Sequence, residues 1–184
     1  MNILGVDPGM FSGFAVVDSE TGALFALDFA RVDDSLGGWH QVGRVLRRTD
    51  DDHTLRVWMN AVGFAAIERP FVHGRAAQNS IAQGSTYGVI KAAIAQEFGL
   101  WPVDVSPQHT KIGLTGSGNA GSKGKKGIQK SLMVAAAFRV PGFDENIDRM
   151  TRARGWTDSV RKKAIEACAD ALGVALYART IGAE

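Results

Sequence analysis

Cysteine is nearly absent: Cys168 is the single one among 184 residues. An internal disulfide framework is therefore excluded, and the chain fits a reducing compartment. The alanines around it, Ala167, Ala169 and Ala171, favour a packing role over that of a nucleophile. Long apolar runs are missing too, so no stretch is suited to span a bilayer. The start of the chain has no secretory pattern, because Asp7 and Pro8 interrupt its first apolar run. A cytoplasmic protein without a membrane partner is expected. No His or Cys cluster offers soft metal ligands, no repeat recurs, and no second domain is delimited. One domain over residues 1–184, long enough for its own core, is the simplest organisation.

The net charge of +2 is too small to mark a nucleic-acid binder by its total, but its distribution is uneven. Lys111, Lys123, Lys125, Lys126 and Lys130 fall within twenty residues with no acid between them. Local basic stripes of this kind suit phosphate contact, although a solvated loop has the same composition.

The order of elements reads as a mixed-sheet α/β fold. Residues 2–7 form a buried strand, Pro8-Gly9 a turn, and residues 13–17 and 23–29 two further strands of an antiparallel meander, since the connections are too short for crossover helices. Residues 39–62 read as helix broken near Thr49-Asp50, and residues 62–67 as a central strand ending at Glu68. A helix over 78–98, with Gly84 and Gly88 permitting close approach, precedes a strand over 101–105. Ser106-Pro107 starts another helix, residues 115–124 are polar and glycine-rich, and helix returns over 126–138. Residues 141–156 are too charged to assign from pattern, and Thr157 or Asp158 caps a last helix to about residue 180.

Four acids stand in surroundings that would normally be buried. Asp7 ends the run Ile3-Leu4-Gly5-Val6, and Glu68 ends Phe64-Ala65-Ala66-Ile67. Glu166 and Asp170 lie in the alanine-rich run 164–172, four residues apart and so on one helix face. Buried carboxylates need a partner or a cation. Strand-end acids open into a crevice, where a packed helix could bring the other two. Such hard oxygen donors select Mg²⁺, with Mn²⁺ as a substitute, and an acidic cluster can hold two ions about 3.5–4 Å apart for phosphodiester hydrolysis. Taken singly, each acid has a plainer reading. Asp7-Pro8-Gly9 is ordinary turn chemistry, Glu68 could pair with Arg69, and Glu166 with Lys162 or Lys163.

Residues 3–9 (Ile-Leu-Gly-Val-Asp-Pro-Gly), 66–71 (Ala-Ile-Glu-Arg-Pro-Phe) and 169–175 (Ala-Asp-Ala-Leu-Gly-Val-Ala) resemble, in order and spacing, the motifs of RuvC-type Holliday junction resolvases. Residues 83–89 (Gln-Gly-Ser-Thr-Tyr-Gly-Val) and 107–111 (Pro-Gln-His-Thr-Lys) resemble that family's dimer-helix and pre-loop segments. The likeness runs over most of residues 2–178. It implies an RNase H-like fold with a mixed five-stranded sheet flanked by helices, a homodimer, and Mg²⁺-dependent paired nicking of four-way DNA junctions. Asp7, Glu68 and Asp170 match its catalytic, metal-holding acids. Where the family has an acid or His three residues before the last Asp, this chain has Ala167, and Glu166 is the natural substitute, with Asp158 and the acids of residues 144–148 as fallbacks. Phe71 matches an aromatic that stacks on bases at the junction centre, although a core Phe would fit there too. Lys111 and the cluster Lys123, Lys125, Lys126 and Lys130 match its DNA-facing basic region. The long 141–157 segment resembles phage or prophage members rather than cellular ones, which implies a bacterial cell or a phage-infected host.

Other activities remain open at this level. A general branched-DNA or flap nuclease shares the same chemistry. A binding protein for branched DNA without catalysis fits the missing acid at Ala167. An actin-like ATPase or sugar kinase also begins with an Asp-x-Gly turn, but needs two such domains.

Overall fold

A computed structural model describes residues 1–32, 42–46, 58–70, 77–118 and 126–182, with side chains at 77–83 and 126–129 left aside. Five strands, β1 (Asn2–Asp7), β2 (Phe11–Asp18), β3 (Leu24–Arg31), β4 (Val62–Glu68) and β5 (Val103–Val105), form one sheet in the order β3-β2-β1-β4-β5. β1 is central and its first five residues are buried, as expected of an apolar run with layers on both faces. It pairs antiparallel with β2, placing Asp7 opposite Gly13, and parallel with β4, placing Val6 opposite Ile67. The meander expected from the short connections is present. β2 begins two residues earlier than its apolar pattern indicated, and β5 is confined to three residues.

Alternation along the strands sorts the core into two halves. Ile3, Ala15, Val17, Ala66 and Val105 face the last helix, α5 (Asp158–Ile181), while Leu4, Val6, Phe14, Val16 and Ile67 face Ile90 and Ile94 of α1 (Ala77–Phe98) and the short helical stretch 42–46. Lys91 of α1 reaches Asp104 of β5 at 2.8 Å, tying that helix to the sheet edge. Among the described residues, Gly84 and Gly88 serve no close approach, since a Cβ at either would meet nothing within 4 Å.

α5 lies almost directly on the sheet. A Cβ at Gly5 would strike the backbone of Ala171 and Ala175, and one at Gly13 the backbone of Ala167. Only glycine on the strands, facing alanine on the helix, permits that distance. The same helix packs against α2 (Pro107–Thr115) and α3 (Lys126–Ala137). Ser106 caps α2, accepting from the His109 amide at 3.3 Å, and Thr157 occupies the N-cap position of α5.

The charge-rich segment that resisted assignment is a helix, α4 (Phe143–Arg154), between Gly142 and Gly155. Asp144 and Glu145 in its first turn and Arg152 and Arg154 in its last complement the helix dipole. Phe143, Ile147 and Met150 form its buried stripe. Arg154 fastens it to β3 through the Phe29 carbonyl and the buried Asp28, each at 2.7 Å. Cys168 is buried and donates to the Asp28 carbonyl at 3.3 Å, a packing position as its neighbours indicated.

Candidate active site

Asp7 and Glu68 occupy the last positions of two adjacent parallel strands, in phase with Ile3, Gly5 and Ala66, and so both face α5. Asp170 comes to the same place from α5, one turn from the alanines that seat the helix on Gly5 and Gly13. The Pro8-Gly9 turn after Asp7 is held by Ser12, whose hydroxyl donates to the Gly9 carbonyl at 2.8 Å while accepting from the Gly9 amide at 3.2 Å. Asp7 is thus both the turn residue that its motif allows and a member of a cluster.

The three acids act on one another. Each is half-buried, so part of the residue meets solvent while protein surrounds the rest. Burial, with the charges of Asp170 and then Glu68, holds Asp7 well above the ordinary carboxylate range. Burial raises Glu68 to about 7, opposed by a hydrogen bond from the Thr110 hydroxyl and by the Lys111 charge, and reinforced by Asp170. Burial also raises Asp170 to about 6, with Lys130 and Lys111 opposing and Glu166 reinforcing.

Glu166 is at the rim and is not paired with Lys162 or Lys163. It accepts from Lys130 Nζ at 2.9 Å. Lys130, expected to face phosphate with the other lysines, is exposed at the rim, and its charge meets Glu166 first and then Asp170 and Asp7. Lys111 also acts on the site, through Glu68 and Asp170. Arg69 does not neutralise Glu68; its charge acts on Asp104 of β5. Phe71, Lys123 and Lys125, and the side chain of Lys126, lie outside the described residues. Thr110 was missed as a site residue, though it sits in the 107–111 motif directly before Lys111. Its buried hydroxyl donates to the Ser106 carbonyl at 3.4 Å and also acts on Glu68, favouring the ionised form of that acid.

Among the described residues, no group of three or more His, Cys, Asp or Glu stands in an arrangement that could hold a metal ion. The donor set nevertheless fits a hard divalent cation. It consists of carboxylates whose charges act on one another, opposed by Lys111 at Glu68 and by Lys130 and Lys111 at Asp170.

A mixed five-stranded sheet in this order, flanked by helices, is the RNase H-like fold. Within that class the chain is similar to RuvC. It matches the structure of T. thermophilus RuvC in complex with a Holliday junction substrate, with a TM-score of 0.61, 19% identity, and coverage of 100% of this chain and 96% of that one. A second Thermus thermophilus RuvC structure matches with a TM-score of 0.57 and 22% identity over the same shares. No protein-family model and no curated protein sequence matches the chain. At such identity the likeness is one of fold, and on that level the resemblance read from the motifs is borne out. Among the described residues, no helix is long and apolar enough to cross a membrane.

Proposed function

We propose that this chain is a Mg²⁺-dependent endonuclease that resolves four-way DNA junctions by paired symmetric nicks. It would act as a homodimer of single nuclease domains spanning residues 1–184, in the cytoplasm of a bacterial cell or phage-infected host. The observation that carries this reading is the convergence of Asp7, Glu68 and Asp170 between the sheet and α5, near enough for their charges to act on one another, in a chain whose fold resembles RuvC. The solved complex of that neighbour with a Holliday junction supports branched DNA as the substrate. The exposed Val89 beside the open Gly84 and Gly88 on α1 supports a helix-mediated dimer.

In this reading Asp7, Glu68 and Asp170 would hold the metal, with Glu166 as a fourth ligand once released from Lys130. Mg²⁺ bound there supplies an activated water and neutralises charge developing on the phosphodiester. Asp7 and Asp170 arrive from rigid elements, a central strand and a helix locked on glycine contacts, so their positions vary little. Thr110 orients Glu68 and stabilises its ionised form. Lys111 balances the acids from the α2 side and would meet substrate phosphate, as would Lys123, Lys125 and Lys126. Phe71, next to Glu68 in the motif, would stack on an unpaired base.

The test is incubation of a synthetic four-way junction with Mg²⁺, comparing wild type with Asp7→Asn. Paired nicks leaving 5′-phosphate and 3′-hydroxyl ends are expected from wild type only, with junction binding retained in the variant. Flap and simple duplex substrates in the same assay separate a resolvase from a general branched-DNA nuclease. A second reading, junction binding without catalysis, is favoured by Ala167 and by the Lys130–Glu166 ion pair, and predicts binding with no product at any Mg²⁺ concentration.

A further inference from the structure

α5 continues for roughly three turns on the N-terminal side of Asp170. Residues 163, 166 and 170 follow the i, i+3, i+7 spacing of one helix stripe, so Lys163 extends the line made by Asp170 and Glu166. At about 1.5 Å per residue it stands about 10 Å from Asp170 along the helix axis.

Lys163 is not a loosely solvated lysine. Its ammonium sits 4.2 Å from the centre of the Phe11 ring. Phe11 stacks on Phe29 at 5.8 Å, and Trp156 meets Phe29 edge-on at 5.1 Å. Arg154 lies over Trp156 at 5.4 Å while bonded to the Phe29 carbonyl and Asp28. The stack fixes the ammonium in place, and β2 carries Phe11 two residues from Gly13, the partner of Asp7. No carboxylate among the described residues pairs with Lys163, or with the exposed Lys162 beside it in sequence. Arg161 differs, being held by Asp148 at 2.7 Å.

We infer that this end of α5, centred on Lys163 seated over Phe11, is a subsite for the phosphates of the DNA strand leading away from the acid cluster. Cation–π seating keeps the charge while limiting the freedom a free lysine would lose on binding. A strand laid along α5 would therefore bring a phosphate beyond the one at Asp170 within reach of Lys163. The subsite rests on the nuclease reading and adds a contact that the acid cluster does not make.

The experiment uses full-length Asp7→Asn protein, so that binding is measured without cleavage, and a fluorescent four-way junction titrated over a salt series. Replacing Lys163 by Ala in that background should lower the slope of log K against log salt by about 1 and weaken binding several-fold at moderate salt. Lys163→Arg should restore the slope, since it keeps the charge and the aromatic contact, and Lys163→Glu should weaken binding further. An unchanged slope in a Lys163→Ala protein of normal circular dichroism overturns the subsite and leaves the nuclease reading intact. Failure of Asp7→Asn itself to bind the junction overturns both.

Discussion

Lys130 Nζ donates to Glu166 Oε2 over 2.9 Å, across 36 residues of chain, and so sets a built-in cation beside Asp170 and Asp7. The lysine side chain is 63% exposed and Glu166 28%, so the pair itself contributes little stability, under about 1 kcal/mol. Its importance is competition. An ammonium that already balances the acids opposes a divalent cation seeking the same oxygens. Lys130→Met should therefore tighten Mg²⁺ binding several-fold at pH 8 by titration calorimetry, while lowering the metal-free melting temperature only slightly. Weaker Mg²⁺ binding in the variant would show that Lys130 supports the metal site rather than opposing it.

The raised acids fix the sign of the pH dependence. The folded protein keeps protons on Glu68 up to about 7 and on Asp170 up to about 6, whereas the unfolded chain loses them near 4.5 and 3.8. Between those values the folded state binds more protons, so these groups make stability fall as pH rises. In EDTA the melting temperature should therefore decline from about pH 4 to about pH 7. Mg²⁺ should stabilise increasingly over the same window, because it needs the ionised carboxylates. Asp170→Asn should flatten the metal-free decline. A metal-free melting temperature that climbs through this window, in wild type, contradicts the assigned burial.

Gly5 and Gly13 are where the fold and the site depend on the same atoms. A methyl group at Gly5 meets backbone of α5 at Ala171 and Ala175, which cannot rotate aside. Gly5→Ala should cost about 3 kcal/mol or more in a urea melt, at the upper end for overpacking. It should also impair Mg²⁺ binding, because moving α5 moves Asp170. Ser19→Ala in the exposed turn after β2 serves as the control and should change neither by more than about 0.5 kcal/mol.

Much of this was legible in the sequence because the strands and α5 are short apolar or alanine-rich runs that end in, or enclose, an acid. Asp7, Glu68 and Asp170 could be grouped before any geometry, since each breaks a buried pattern. The partner of Glu166 could not be read that way. Lys162 and Lys163 are its helical neighbours, but Lys130 reaches it only once α3 and α5 are docked. α4 was hidden by composition: its buried stripe of Phe143, Ile147 and Met150 is interleaved with acids and arginines that outweigh it in any local average. Lys111 was assigned to DNA from its charge, and its action on Glu68 and Asp170 emerges only from the packing of α2 on α5. The likeness of Phe71, Lys123 and Lys125 to base- and phosphate-contacting positions lies outside the described residues.

Thr110 is the residue whose removal separates orientation of a carboxylate from the supply of one. It is buried, its hydroxyl reaches the Ser106 carbonyl at 3.4 Å, and it is the first influence after burial on Glu68, favouring the ionised acid. Thr110→Val keeps the shape and removes the donor, so the ionised form of Glu68 loses support and its pKa should move above about 7. The pH at which Mg²⁺ affinity reaches half its plateau should then shift upward, with the plateau itself little changed. Thr110→Ser, which restores the hydroxyl, should return the midpoint to the wild-type value. A loss of affinity equal at every pH would mean instead that Thr110 serves packing between α2 and Gly173 of α5, where its carbonyl and methyl lie close to the glycine.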